Sequence, residues 1–104
     1  MVRKKMLKIT IRFRGNDKYE GKPILDELLI LLKDNKINGA TVFRGIHGYG
    51  ARGVASMKVL GLSLDLPIII EVIDEYEKLE SLLEKIKQIV NDNGLITIED
   101  VYVI

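Results

Sequence analysis

The sequence has no cysteine, which excludes disulfides, thiolate zinc sites and cysteine nucleophiles together. It has one histidine, His47, so a histidine-rich metal site within one subunit is excluded as well. Aromatic residues amount to four Tyr and two Phe, a thin supply for the stacking platform of an RNA-binding sheet. The longest apolar run is the five residues Leu28 to Leu32, far short of the ~20 that a membrane helix needs. The basic start, Met1 to Lys5, lacks the apolar stretch that follows in a signal peptide. A net charge of +1 gives no global pull toward nucleic acid or acidic lipid. These absences lead us to expect a soluble, cytoplasmic protein without a resident metal or cofactor.

The 104 residues suit one domain spanning 1–104. At this length folding buries roughly 65% of the unfolded chain's surface. With 47% hydrophobic and 30% charged residues, the composition is that of a folded chain. The near-zero net charge hides an asymmetry. Residues 1–64 carry 13 Lys or Arg and 5 Asp or Glu, a balance of +8, whereas residues 65–104 carry 3 and 10, a balance of −7. No acidic residue lies between Asp34 and Asp65, while Lys36, Arg44, Arg52 and Lys58 do. Such a stretch suits an anionic ligand or the acidic face of a neighbouring subunit.

Leu7, Ile9, Ile11 and Phe13 alternate with Lys8, Thr10, Arg12 and Arg14, the period of a half-buried strand over 7–14. Gly15, Asn16 and Asp17 end it. Pro23 suits the first position of a helix with an apolar stripe at Leu25, Leu28, Leu29 and Leu32, ending near Asn35. Ile30 and Leu31 widen the stripe and suggest a second buried contact. Strands are expected over 40–46, 66–73 and 95–103. A long second helix between them would start at Asp74, where Glu77 completes a capping-box spacing, and stop at Gly94. Strand, helix, strand, strand, helix, strand is the order of an α+β, ferredoxin-like βαββαβ sandwich, a four-stranded antiparallel sheet with two helices on one face.

The connection from His47 to Leu64 stands apart. It runs 18 residues without clear periodicity, and unstructured loops beyond roughly 12–15 residues are usually functional or disordered. Gly45, Gly48, Gly50, Gly53 and Gly61 are five of the nine glycines in the chain. Glycine lets backbone amides approach a ligand closely, and Arg44, His47, Tyr49, Arg52 and Lys58 add charge, donors and one stacking ring. This pattern fits a phosphate or nucleotide clamp, or a hairpin extension that packs on a partner subunit. A second candidate is the first helix's N-terminus. There Lys22 would occupy the N-cap without offering an acceptor, leaving amides beside Lys18 and Lys22 for a phosphate or for water.

Other signals exclude chemistry. Ser56, Ser63 and Ser81 lack a nucleophile elbow. The G-x-x-G-x-G between Gly45 and Gly50 has neither the Walker order nor its Lys-Ser/Thr ending. The acidic group Asp74, Glu75 and Glu77 is accounted for by a helix start. No catalytic residue is identified.

Three blocks in order carry a resemblance: Asp17 to Pro23 (D-K-Y-E-G-K-P), Gly39-Ala-Thr-Val-Phe-Arg-Gly-Ile-His-Gly-Tyr-Gly50, and Leu62 to Asp74 (L-S-L-D-L-P-I-I-I-E-V-I-D). They resemble a bacterial and archaeal family of PII-like proteins, the domain of unknown function numbered one hundred and ninety, related in fold to the PII nitrogen-regulatory proteins. The resemblance implies a subunit of a homotrimer with ligand clefts between subunits. It also implies a long loop after the second strand that contacts partner proteins. By that resemblance Arg44 to Gly50 forms the loop base. Two departures stand out. Gly53-Val-Ala-Ser-Met57 replaces the polar loop centre of typical members, and the nucleotide signature that follows the third strand of true PII proteins is absent.

The expectation is a non-enzymatic, PII-like regulator that binds an anionic small molecule, an adenine nucleotide first of all. The 47–64 loop would then switch for a transporter or enzyme partner. Its ligand-binding residues would be Arg44, Gly45, His47, Gly48, Tyr49, Gly50, Arg52 and Lys22. The competing readings are a small phosphate- or acyl-group hydrolase on the same fold and a protein-only adaptor. An RNA-binding sheet is a further one, for which Phe13 and Phe43 are poorly placed.

Overall fold

A computed structural model describes residues 1–56 and 65–104; Lys58, Gly61, Ser63 and the far part of the 47–64 connection lie outside the described residues. The chain runs through β1 (Lys4–Arg14), β2 (Lys18–Tyr19), β3 (Lys22–Pro23), α1 (Ile24–Asp34) and β4 (Thr41–Arg44). It continues with β5 (His47–Gly50), β6 (Gly53–Ser56), β7 (Pro67–Asp74), α2 (Tyr76–Glu80), α3 (Leu83–Val90), a 3-10 turn (Asn91–Asn93) and β8 (Leu95–Val103). The main sheet is antiparallel in the order β4-β7-β1-β8. With α1 and the α2–α3 pair as its two helical layers, this is the ferredoxin-like βαββαβ arrangement expected from the sequence.

The alternation along β1 decides the faces. Leu7, Ile9, Ile11 and Phe13 are all buried and pair in register with Asp74, Val72, Ile70 and Ile68 of β7. This apolar side meets Ile24, Leu28 and Leu32 of α1 and Leu79, Leu82, Ile86, Ile89 and Val90 of α2–α3 in one core. Fully burying a side chain of this size contributes about 1.5–3 kcal/mol. Among the described residues no helix lies on the other sheet face. At its centre Lys8 bridges Glu71 at 3.4 Å and Glu99 at 3.3 Å, and both carboxylates raise the pKa of its ammonium, Glu99 most. Around that triad Phe43, Ile73 and Leu95 stay exposed. Ile30 is also exposed, so the wide stripe on α1 exceeds what this chain's own core covers.

Several local expectations are corrected. Strand β1 begins three residues earlier than its apolar alternation, because Lys4, Lys5 and Met6 pair with Val103, Tyr102 and Val101 of β8. Pro23, not Lys22, caps α1, and no side chain caps it. The first helical amide, that of Ile24, donates instead to the Asp17 carbonyl at 3.0 Å. Lys22 sits in the tiny β2–β3 ladder, whose reversal uses positive φ at Glu20 (51°) and Gly21 (80°), the two-residue hairpin geometry that matches strand twist.

Asp74 is not a capping residue either, since it ends β7 and Glu75 occupies the N-cap. The second helix is broken in two. The Ser81 hydroxyl donates to the Lys78 carbonyl at 2.8 Å and the Leu82 amide donates to the Leu79 carbonyl at 2.9 Å, a local side-chain bond competing with helix propagation. The helix ends at Val90, where Asn91 turns the backbone to φ 53° and ψ −133°, and not at Gly94. Gly94 is required for another reason. A Cβ there would lie 2.0 Å from the Arg12 carbonyl oxygen.

Candidate functional site

The 47–64 connection begins as a built structure. His47–Gly50 and Gly53–Ser56 form a β-hairpin in which His47 pairs with Ser56 and Tyr49 with Val54. Its reversal uses Gly53 at φ 99°. The expectation of an aperiodic loop from His47 onward is therefore corrected. The hairpin's base rests on Pro67, the first residue of β7. A Cβ at Gly45 or at Gly48 would stand 3.2 Å from the Pro67 ring, and the Gly45 amide donates to the Pro67 carbonyl at 2.8 Å. These two glycines thus serve close packing, whereas Gly50 opens on free space.

Between this hairpin and the sheet lies a cleft of about 550 Å³, within the usual range for small-molecule sites. Its lining combines His47–Arg52 of the hairpin, Phe13, Pro67, Ile68 and Ile69 of the sheet, Asp92–Leu95 at the entry to β8, and Arg12 and Arg14 of β1. The structure brings His47, Gly48, Tyr49, Gly50 and Arg52 together there. Arg44 and Gly45 stand on the segment leading into the hairpin and are not part of this lining, and Lys22 is remote from it.

Two guanidinium groups of the cleft are engaged by carboxylates. Arg52 makes a two-pronged pair with Asp17, Nη1 to Oδ1 at 2.7 Å and Nη2 to Oδ2 at 2.9 Å, and also donates to the Asn93 carbonyl. The Asp17 hydrogen bond raises the pKa of Arg52 against the opposing effect of burial. Asp17 is itself buried, at 7% exposure, and also accepts from the Arg14 amide at 2.7 Å. Arg14 in turn pairs with Asp65 at 3.1 Å and donates to the Gly53 carbonyl. The hairpin tip, Arg52–Gly53, is therefore clasped from β1, from the β1–β2 turn and from the turn before β8. Paired and planar contacts of this kind are the strong ones among charged hydrogen bonds.

Sequence reasoning missed Arg12, Arg14, Asp17 and Asn93. The first two read as the solvent side of a strand and the third as a turn former. Only the long-range pairing, 35 positions apart for Asp17 and Arg52, exposes their place in the site.

Elsewhere, Asp74 is 2% exposed and accepts from the amides of Glu75 at 2.7 Å and Asn38 at 3.0 Å, with Lys78 Nζ at 3.4 Å. Burial alone would push its carboxyl up; those amides and the ammonium outweigh it and hold it below its ordinary value. No group of three metal-ligating side chains occurs among the described residues. Nor, among them, is any helix long and apolar enough to cross a membrane.

The backbone has the ferredoxin-type fold that PII-like proteins also have. It superposes on CPII, a nitrogen regulatory PII-like protein of Thiomonas intermedia K12 solved with ADP, AMP and bicarbonate. The TM-score is 0.77 at 20% identity, over 98% of this chain and 91% of that one. Residues 6–103 match the DUF190 family, described as "Uncharacterized ACR". A UPF0166 protein of Methanocaldococcus jannaschii is 43% identical over 103 residues, 99% of this chain and 94% of the relative. One of Aquifex aeolicus is 45% identical over 106 residues, 100% and 96% respectively. The chain belongs to the DUF190 family.

Proposed function

We propose that this protein is a non-enzymatic, cytoplasmic PII-like regulator that binds an adenine nucleotide in the cleft beside the β5–β6 hairpin and engages a partner through the 47–64 segment. The observation that carries this reading is the cleft itself. It joins an apolar, Phe13- and Pro67-containing surface to guanidinium groups and to the exposed ring of Tyr49, the lining a flat base bearing a phosphate requires. The ADP and AMP bound to CPII support the same ligand class. Residues 1–104 act as one ferredoxin-like unit of a homotrimer. The exposed Phe43, Ile73 and Leu95 around the uncovered sheet face support a further subunit there, since apolar patches of this kind mark interfaces. Arg44 at the hairpin's base meets the phosphate in the assembled cleft, with the backbone at Gly48 and Gly50 beside it.

The test is thermal unfolding of the purified protein against ATP, ADP, AMP, cyclic nucleotides, acetyl phosphate, phosphate and 2-oxoglutarate. A ligand at 100 times its dissociation constant stabilises by about 2.7 kcal/mol. A selective shift with an adenine nucleotide, reduced in Arg44→Ala, is the expected result. Indifference to every nucleotide overturns the reading in favour of a protein-only adaptor, and turnover of acetyl phosphate or nucleotide overturns it in favour of a hydrolase.

A further inference from the structure

Six charged or titratable side chains line the cleft: Arg12, Arg14, His47, Tyr49, Arg52 and Asp92. Arg14 and Arg52 are spent on Asp65 and on the buried Asp17, and both also donate to backbone carbonyls, of Gly53 and Asn93. Drawing Arg52 onto a ligand would leave Asp17 as a buried carboxylate without its cation, a costly exchange. Arg12 differs. Among the described residues it makes no ion pair, and it stands on the central strand of the sheet, between Ile69 and Leu95 in the cross-strand register. Both of those apolar neighbours line the same cleft. Asp65 and Asp17 each neutralise one of the three guanidiniums and Asp92 adds a further carboxylate to the lining, so little net positive charge is left in the cleft.

Resting on the nucleotide reading above, we propose that Arg12 is the residue of this lining that takes the ligand's anionic group, joining Arg44 of the hairpin base, while Arg14 and Arg52 are clamps that hold the hairpin and do not meet it. Among the described residues the lining itself offers one uncommitted guanidinium, together with Asp92, which accommodates a single phosphate better than a chain of them. The ligand class is therefore a nucleoside monophosphate, its base against the apolar lining, in preference to a triphosphate, whose denser charge meets Asp92 in the same lining.

The experiment compares AMP, ATP and adenosine by titration calorimetry on the full chain and on Arg12→Gln, Arg12→Lys and Arg52→Gln, each checked for folding by circular dichroism. The preference for AMP over adenosine isolates the phosphate contact. In the unmodified protein AMP binds more tightly than adenosine and than ATP. In Arg12→Gln the AMP-over-adenosine ratio falls about tenfold, the scale of one charged hydrogen bond, and Arg12→Lys restores part of it. In Arg52→Gln adenosine and AMP weaken together and the ratio holds. An unchanged ratio in Arg12→Gln, a collapsed ratio in Arg52→Gln, or ATP binding more tightly than AMP overturns the assignment while leaving nucleotide binding intact. Absence of binding of all three ligands to the unmodified protein overturns the nucleotide reading and this inference with it.

Discussion

Replacing Gly94 by Ala tests how closely the turn before β8 lies on the central strand. The backbone at Gly94 is extended, with φ −150°, so alanine meets no conformational objection there. Space is the objection. Its Cβ would fall 2.0 Å from the Arg12 carbonyl oxygen, 3.0 Å from the Arg12 carbonyl carbon and 3.1 Å from a methyl of Val90. An ordinary contact needs about 3.4 Å, and the oxygen belongs to a strand paired on both sides, so it cannot swing aside as a side chain would. Overpacking of well-packed interiors costs about 1–3 kcal/mol and occasionally more. The small gain from stiffening the unfolded chain, about 0.4–1 kcal/mol, does not offset that. A 2.0 Å approach to fixed backbone puts the overpacking cost at the top of its range or beyond it, so we expect a net loss of about 2 kcal/mol or more, which in a domain of this size lowers Tm by ~8 °C or more. Differential scanning calorimetry reads it directly. Gly39→Ala is the control, because nothing lies within 4 Å of the Cβ it would add, and it should leave Tm within about 4 °C. A Gly94→Ala protein that melts within about 4 °C of the parent refutes the packing argument.

Asp74 predicts an acid response. Its folded-state carboxyl is held below the ordinary value, so the stability it contributes is fully present above that value and is lost as pH falls through the folded pKa. Urea titrations from neutral pH downward should show this loss, and in Asp74→Asn the slope in that window should flatten; an identical slope in both proteins contradicts the assignment. Asp74→Ala leaves the part-buried amides of Asn38 and Glu75 without their acceptor and should cost about 1–3 kcal/mol at pH 7, measured by chemical unfolding, with a loss below about 1 kcal/mol counting against the clasp. Phe43→Asp places charge on the uncovered sheet face and should convert the proposed trimer to smaller species in light scattering, with circular dichroism unchanged; an assembly state identical to the parent's removes that face from the interface. Lys8→Met removes two exposed ion pairs and should change monomer stability by less than about 1 kcal/mol, so a larger loss by chemical unfolding shows that the triad is desolvated in the assembly.

The scaffold was legible where burial is one-sided. Leu7 to Phe13 alternate because one face of β1 meets the helices, and Ile24, Leu28 and Leu32 recur because α1 turns one stripe inward. The hairpin escaped notice for the opposite reason. His47, Tyr49 and Gly50 are exposed and Gly48 is only partly covered, so no alternation of polarity marks the strand. The break at Ser81 was hidden because Leu79, Leu82 and Ile86 keep the helical period across it. Asp74 matched a capping spacing through Glu77, yet Glu75 occupies the N-cap and one of Asp74's partners is the amide of Asn38, 36 positions away. Of the site, the hairpin side was visible as a concentration of glycine and positive charge. The strand side was not, since Arg12 and Arg14 share the spacing of any solvent-facing cation.

The clasp on the hairpin tip has a consequence for modularity. Residues 45–56 look like an insert that could be exchanged among relatives as a cassette, because they form their own two-stranded ladder. Their docking is specified elsewhere, by Arg14 and Asp17 near the start of the chain and by the carbonyl of Asn93 near its end. A chimera that received a hairpin without a matching residue at position 17 would inherit the ladder and lose its seat. Grafting loop properties between members of this fold therefore requires transplanting a discontinuous set of positions, with the β1–β2 turn travelling alongside the hairpin.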